Sequence, residues 1–549
     1  MASFSAKNRQ SIIHEMNTTS FDLLVIGGGI TGAGIALDAI SRGLKVALID
    51  MQDFSAGTSS RSTKLVHGGL RYLKQYEFKL VAEVGKERKI VHANAPHLTK
   101  PEPMLLPIVK GGSMSKSMAQ LGMWVYEWLA GVKKEERHQV LSVEETLAKE
   151  PSLRKENILG GILFYEYRTD DARLTMEVLK EAVNRGVVAL NYMKAISFTF
   201  KNEKINGVKI QDQLCNGVIE VKANYVVNAS GPWVDELDAL DKTTTANKLH
   251  ITKGVHIVID AKRFPVRQSV YFDTHDKRMV FVIPREGKTY IGTTDTFYSG
   301  DIANPLVTSD DLQYLLKCVN NYFSNINLTD KDVESGWAGL RPLINKQGKG
   351  PSEISRKDEM FESASGLITI AGGKLTGYRK MAERVVDRVA KMYQQKEGKN
   401  IPVCSTEKII LSGGDVGGTI NFPIFVKSKI AEAQKLSLSV AEAEMLVTRY
   451  GSNIDKLFSI IENLNKEEKS ALPMLLHAQL IYCINEEMCV TPSDFLIRRI
   501  AALYFDIDTV KKWGEQVTHL MQNQLNCNEE LKSKFINELQ KALVESKPN

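Results

Sequence analysis

Gly27, Gly29 and Gly32 stand in the spacing GxGxxG, directly after the apolar run DLLVI and directly before IALDAISRG, and Asp50 closes the next apolar run, LKVALID. Three missing side chains permit a tight turn, close approach of a pyrophosphate to the backbone and close packing of the following helix, whose N-terminus then faces the phosphates. An acid at the end of the second strand accepts ribose hydroxyls. That chemistry is dinucleotide binding. The next segment, DFSAGTSSRSTKLVHGGLRYL, concentrates hydroxyls, glycines and cations and brings His67, Gly68, Gly69, Arg71 and Tyr72 together beside the nucleotide. A solvated loop explains its Ser and Thr residues. A loop that runs along the pyrophosphate and delivers polar groups to a reacting face explains the rest.

Further along, VNASGPWVDEL, TKGVHIVI, VIPREGKTYIGTTD, GLRPL and GGKLTGYRKMAE follow in that order. Together with TSSRSTKLVHGGLRYL they resemble the FAD-dependent glycerol-3-phosphate dehydrogenases of the respiratory, aerobic type, from about residue 21 to the C-terminal region. The resemblance implies FAD as cofactor and oxidation of sn-glycerol 3-phosphate at C2 to dihydroxyacetone phosphate. It also implies a membrane quinone as acceptor and a cytoplasmic protein held peripherally on the anionic inner face of the cytoplasmic membrane. A homodimer is compatible with it, and the subunit count stays open. The implied fold is α/β: an FAD-binding Rossmann-like domain with an antiparallel β-sheet substrate domain and an all-helical C-terminal domain.

A phosphomonoester dianion requires several fixed cations, and the planar fork of Arg suits phosphate oxygens. The family's substrate-binding positions map onto Arg71, Arg341, Arg356 and Lys374, with Tyr72 beside Arg71. Oxidising a secondary alcohol requires a base within hydrogen-bond reach of its hydroxyl. His256 and His67 match the family's active-site histidines, and Arg341 joins them as a catalytic candidate; which histidine takes the proton stays open. For the cofactor, Gly27, Gly29, Gly32 and Asp50 are followed along the loop by Thr58, Ser59, Thr63, Lys64 and Leu65. Ala229 and Gly231 make a second contact, and Gly373, Lys374, Leu375 and Thr376 a last one, where a helix beginning near Leu375 aims its positive end at the flavin N1/C2 carbonyl edge.

These residues need a scaffold. The chain divides into an N-terminal polar extension (1–20), an FAD-binding domain (21–400), a linker (401–420) and a helical C-terminal domain (421–549). Within 21–400, the glycine motif, 225–235 and 366–400 interleave with substrate-binding segments at about 75–220 in part and 245–350. YVVNASG reads as a distant strand of the nucleotide-binding sheet, and HIVID, SVYFD, MVFVIP and TYIGTTD as short strands of the substrate sheet. At 549 residues, 43% hydrophobic and 25% charged, the chain is long enough for two or three packed domains. No apolar run reaches the ~20 residues that cross a bilayer, and the first twenty residues have neither a secretory nor a transit pattern. Residues 112–134, rich in Met, Trp and Tyr and ending in two lysines, read either as a bilayer-interface segment or as a helix buried against the domain.

The six cysteines form no CxxC pair, which fits a reducing compartment and gives no metal site; no EF-hand loop occurs either. The net charge of +6 suits an anionic substrate or lipid surface. Two rivals share the glycine turn: a glycerol-3-phosphate oxidase that makes hydrogen peroxide, and a flavoprotein acting on RNA. No aromatic and basic RNA-binding module accompanies the charge, so a nucleic-acid partner is not expected.

Overall fold

DLLVI forms a strand because consecutive apolar side chains suit a parallel sheet covered on both faces. The computed structural model describes residues 4–68, 77–243, 248–345, 357–464 and 471–547. In chain order, the elements that position the site begin with β1 (Ser20–Ile26), α1 (Ile30–Ser41), β2 (Val46–Ile49), α2 (Phe78–Asn94), β3 (Thr99–Val109) and α3 (Lys116–Ala130). They continue with β4 (Ile158–Thr169), α4 (Asp171–Asn184), β5 (Val188–Leu190), β6 (Val218–Asn228), β7 (Leu249–Asp260), β8 (Ser269–Asp273), β9 (Met279–Arg285) and β10 (Lys288–Gly292). The last are β11 (Val333–Ile344), β12 (Leu367–Gly372), α5 (Tyr378–Glu397) and α6 (Gly418–Lys435).

Two sheets carry the molecule. The first runs β12-β6-β1-β2-β5, all parallel, with the strand Asp358–Glu362 antiparallel on its β12 edge and the hairpin Met193–Lys201/Lys204–Asp212 hung from β6. YVVNASG is therefore the end of β6, and it pairs Val227 with Val25. Helices α1 and α5 pack together over this sheet, and Gly34 of α1 fits against the Tyr378 ring. The second sheet runs β7-β10-β9-β8-β3-β4, with β11 on the other side of β7, and only its β8–β3 pair is parallel. The fold class is the α/β one expected, with mixed sheets and a helical C-terminal region. Segment 188–228 belongs to the first sheet, so the second takes its early strands from β3 and β4.

The N-terminus departs from the reading as a polar extension. Arg9–Thr18 is a helix that buries Ile12 and Met16, Phe4 packs on Phe54, and buried Arg9 donates to the Asn191 carbonyl at 2.8 Å and to Asp212 at 3.1 Å. Its few apolar residues are too widely spaced to signal a helix, and the rest of the sheet supplies the surface that buries them. In the C-terminal region α6 starts at Gly418, inside the segment read as a linker. Helix α3, within residues 112–134, has two faces: Ala119, Met123, Tyr126 and Ala130 are buried, while Met118, Leu121, Trp124 and Trp128 face solvent.

Candidate active site

The turn between β1 and α1 brings two distant segments together. Gly27 has φ +115°, and its Cα lies so close to the Ala229 carbonyl that a β-carbon would overlap the backbone at the end of β6. Gly32, one turn into α1, packs against the Gly27 carbonyl in the same way. The first helical N–H, of Ile30, donates to Ser59 Oγ at 3.0 Å. Asp50 accepts from Gly28 N–H at 2.7 Å and Gln52 N–H at 2.8 Å, so its carboxylate braces the turn. Burial pushes the Asp50 carboxyl up to about 7, against the pull of those two N–H groups.

A cleft of about 460 Å³ opens over this turn, lined by Gly27, Gly29, Asp50, Thr58, Ser59, Ala229, Gly231, Gly373, Lys374 and Leu375. A second cavity, of about 220 Å³, is lined by Thr63, Leu65, His67, His256, Arg341 and Thr376. Thr58, Ser59, Pro342, Gly373, Lys374 and Leu375 line both, so they are two ends of one chamber. Its size falls in the ~300–1,000 Å³ range of small-molecule sites.

His256 and Arg341 come from neighbouring strands, β7 and β11, whose register pairs His256 with Trp337 and Thr252 with Arg341. Two glycines make room for them: a β-carbon at Gly292 would strike the His256 ring, and one at Gly254 would strike the Arg341 guanidinium. The His256 ring stacks on Trp337 with centroids 4.8 Å apart and planes at 12°, and its Nε2 lies 3.0 Å from Thr63 Oγ1. Burial, then the charges of Arg341 and Lys64, holds its pKa well below the ordinary 6.5, so the ring is neutral. Arg341 is fixed by Thr293 Oγ1 at 3.0 Å, the Thr294 carbonyl at 3.3 Å and Asp295 at 3.2 Å.

His67 also lines this cavity, its carbonyl accepting from Thr376 Oγ1 at 3.2 Å and its ring centroid 6.5 Å from that of Phe281 with planes at 69°. Behind it Gly68 N–H reaches Glu166 Oε2 at 3.4 Å, and the same carboxylate pairs with Arg88 at 3.0 Å. The strand-turn-helix after β12 places Gly373 and Lys374 on the chamber, then a short 3-10 turn, Leu375–Gly377, before α5.

Lys64 is a correction. The left-handed backbone at this residue (φ 58°) turns its side chain away from the chamber, which Thr63 and Leu65 face. Its Nζ is buried against Asp171 at 2.6 Å and the Ser60 carbonyl at 3.0 Å. Arg71, Tyr72 and Arg356 lie outside the described residues.

Arg61 is a residue that sequence reasoning missed, although it stands in the quoted loop. It borders both the chamber and a neighbouring cavity, and the groups that act on its guanidinium, Tyr504, Arg498, Tyr298 and Glu545, do not line the chamber; burial pulls its pKa below the ordinary arginine value. Its position in TSSRST was the only signal.

The family model described as FAD dependent oxidoreductase matches residues 22–379, and that described as the C-terminal domain of alpha-glycerophosphate oxidase matches residues 404–532. Proteins named aerobic glycerol-3-phosphate dehydrogenase from Staphylococcus saprophyticus and Staphylococcus aureus are each 50% identical to this chain, over 99% of it and 98% of their own length. The chain belongs to the FAD-dependent glycerol-3-phosphate dehydrogenases. The solved glycerol-3-phosphate dehydrogenase from Bacillus halodurans, complexed with FAD, is 48% identical, covers 99% of this chain and 98% of its own, and superposes with a TM-score of 0.86. L-alpha-glycerophosphate oxidase from Mycoplasma pneumoniae, at 18% identity and a TM-score of 0.55 over 68% of this chain and 95% of its own, shares the fold.

FAD is the cofactor of this dehydrogenase, and the chamber fits it. The close-packed glycine turn leaves backbone and a helix N-terminus where a pyrophosphate needs them. Gly27, Gly29, Ser59 and Ala229, which line the cleft over the turn, would hold the dinucleotide half, and Gly373, Leu375 and Thr376 would meet the ring end.

Proposed function

We propose that this enzyme oxidises sn-glycerol 3-phosphate at C2 to dihydroxyacetone phosphate and passes the electrons to a membrane quinone. The observation that carries the reading is the meeting of a neutral buried histidine and two cations, His256 with Arg341 and Lys374, in the chamber that continues into the glycine-turn cleft. The names of relatives half identical over nearly the whole chain support the substrate.

Arg341 offers the phosphate a fork oriented beforehand by Thr293, Thr294 and Asp295, so little side-chain freedom is lost on binding. Lys374 adds positive charge from another part of the lining, and Arg71 and Arg356 are further proposed phosphate cations. Bound FAD supplies the two-electron acceptor for the C2 hydrogen. His256 takes the hydroxyl proton, with Trp337 and Thr63 fixing the plane of its ring. Met104, Phe164, Met279 and Phe281 give the chamber apolar walls that exclude water.

The proton-accepting form of His256 is the neutral one. Because its pKa is held well below 6.5, that form is already full at neutral pH and stays so as pH falls from about 8 to about 6. Flavin reduction at saturating substrate should therefore show no acid limb near 6.5 arising from this residue. His256→Ala should slow flavin reduction about 10²–10⁴-fold while leaving FAD content unchanged. Stopped-flow traces in which the variant reduces flavin at the parent rate would transfer the base role away from His256.

The substrate is tested by anaerobic bleaching of the flavin spectrum on adding glycerol 3-phosphate; a flavin that stays oxidised overturns the proposal. The oxidase description matched to residues 404–532 favours oxygen as the rival acceptor. Stoichiometric peroxide in air without quinone would establish that rival.

A further inference from the structure

His256 is held on two sides by groups that trace back to one carboxylate. Its Nε2 lies 3.0 Å from Thr63 Oγ1, and its ring stacks on Trp337. Trp337 in turn donates its indole N–H to the Ser62 carbonyl at 3.1 Å. Both the edge and the face of the imidazole therefore depend on where residues 62–64 lie.

Asp171, the first residue of α4, fixes those residues with both of its oxygens. Oδ2 accepts from Ser62 N–H at 2.9 Å and from the Ser62 hydroxyl at 2.7 Å, and Oδ1 accepts from Lys64 Nζ at 2.6 Å. The Ser62 hydroxyl accepts from Lys64 N–H at 2.9 Å, which ties the two ends of the segment to each other. Its carbonyls are held as well: Tyr290 O–H donates to that of Thr63 at 3.1 Å and Thr169 N–H to that of Lys64 at 2.9 Å. The carboxylate itself is steadied by Ala172 N–H, 2.9 Å from Oδ1, at the positive end of the helix.

The structure assigns Asp171, with Lys64 as its counter-ion, the role of positioning residue for His256. The left-handed backbone at Lys64 makes this possible, since it takes the ammonium to Asp171 while Thr63 stays on the chamber. Stability is a weak reason for such a pair. With the two side chains only 2 and 0% exposed, desolvation offsets most of their attraction, and apolar side chains of the same volume often stabilise a core as well. Apolar side chains cannot, however, hold the N–H and hydroxyl of Ser62 in set directions. Direction matters here, because a base must stay within hydrogen-bond reach of the substrate hydroxyl and a misplacement of ~1 Å costs on the order of 10²-fold in rate. The assignment rests on the proposed role of His256 as the base. Neither Asp171 nor Lys64 lines the chamber, so their loss should fall on rate and not on substrate affinity.

The test is stopped-flow reduction of the FAD-loaded enzyme by glycerol 3-phosphate in Asp171→Asn, in His256→Ala and in the two combined. Asparagine keeps the shape, but its NH2 cannot accept, so the bonds to Lys64 or those to Ser62 are lost. Asp171→Asn is expected to lower the limiting rate about 10- to 100-fold with FAD content retained. The substrate concentration giving half that rate should change less than about threefold. In the His256→Ala background the same substitution should change the limiting rate less than about twofold, because its effect passes through the imidazole. The variant Lys64→Met/Asp171→Asn strands no buried charge and should show the same loss as Asp171→Asn, which separates lost positioning from a damaged core. A parent rate in both of these variants, or losses that multiply with that of His256→Ala, overturns the assignment and leaves His256 as the base. A parent rate in His256→Ala overturns the base reading, and the assignment with it.

Discussion

Replacing Arg341 with Ala is expected to lower kcat/KM for glycerol 3-phosphate about 10²–10³-fold, most of it as a rise in KM. The side chain is held at the chamber wall by three consecutive residues, Thr293 to Asp295, and Gly254 leaves the space it fills. Truncation removes a cation whose orientation was set before substrate arrived, and it leaves Asp295 facing the site where the phosphate is proposed to bind. A carboxylate opposed to a dianion adds repulsion to the lost attraction. Arg341→Lys should recover only part of the loss, since a point charge does not reproduce the two-donor fork. Steady-state kinetics with intact flavin content decides it: an unchanged KM in Arg341→Ala would move the phosphate elsewhere in the chamber.

Asp53→Ala should lower stability by about 3–5 kcal/mol, measured as a shift in the urea midpoint. The Asp53 side chain is completely buried, and it accepts from Arg498 Nε at 2.5 Å, from Arg499 at 2.7 and 3.0 Å, and from Asn191 at 2.9 Å. Burial alone would raise its pKa, but Arg499 and Arg498 override burial and hold it at about 2, below the ordinary 3.8. A depressed carboxylate pKa contributes stability that is present above 3.8 and fades as pH falls through about 2. Acid unfolding of the variant should therefore lack that part of the pH dependence. Removing the carboxylate strands two guanidiniums, only partly compensated by Asp494 at 2.7 Å from Arg498 and the Glu487 carbonyl at 2.9 Å from Arg499. Asp53 directly follows Gln52 of the cofactor cleft, so easier loss of FAD should accompany the lower midpoint. A midpoint unmoved by Asp53→Ala would mean that this pair is not what ties the C-terminal helices to the flavin domain.

Features that depend on local backbone rules were legible along the chain. The glycine turn, the apolar strands β1 and β2 and the helix between them follow from side-chain size and periodicity over a few residues. The antiparallel strands between 249 and 295 announced themselves by short apolar runs and charged turns. Features that depend on where a side chain points were harder to read. Lys64 has the composition of a phosphate ligand, yet one residue with positive φ sends it into the protein toward Asp171. Arg61, a few residues earlier, had no pattern to distinguish it, and the fold buries it near Tyr504, Arg498 and Glu545 of the C-terminal region. The N-terminal helix was hidden for a related reason: Phe4, Ile12 and Met16 gain their meaning only from the surface that receives them.

By itself, the sequence determined the tight turn at Gly27, Gly29 and Gly32 between strand and helix, because that demand concerns backbone geometry within one turn. Its ordered motifs also carried the family resemblance. Tertiary structure decided which distant residues share the chamber, since His256, Arg341 and Lys374 meet only through strand register and the joining of two sheets. It also decided that α3 has two faces, one packed through Tyr126 against Glu166 of the chamber lining and one on solvent. Periodicity marks a helix as amphipathic, but whether its apolar stripe is buried or exposed depends on what the rest of the chain places against it.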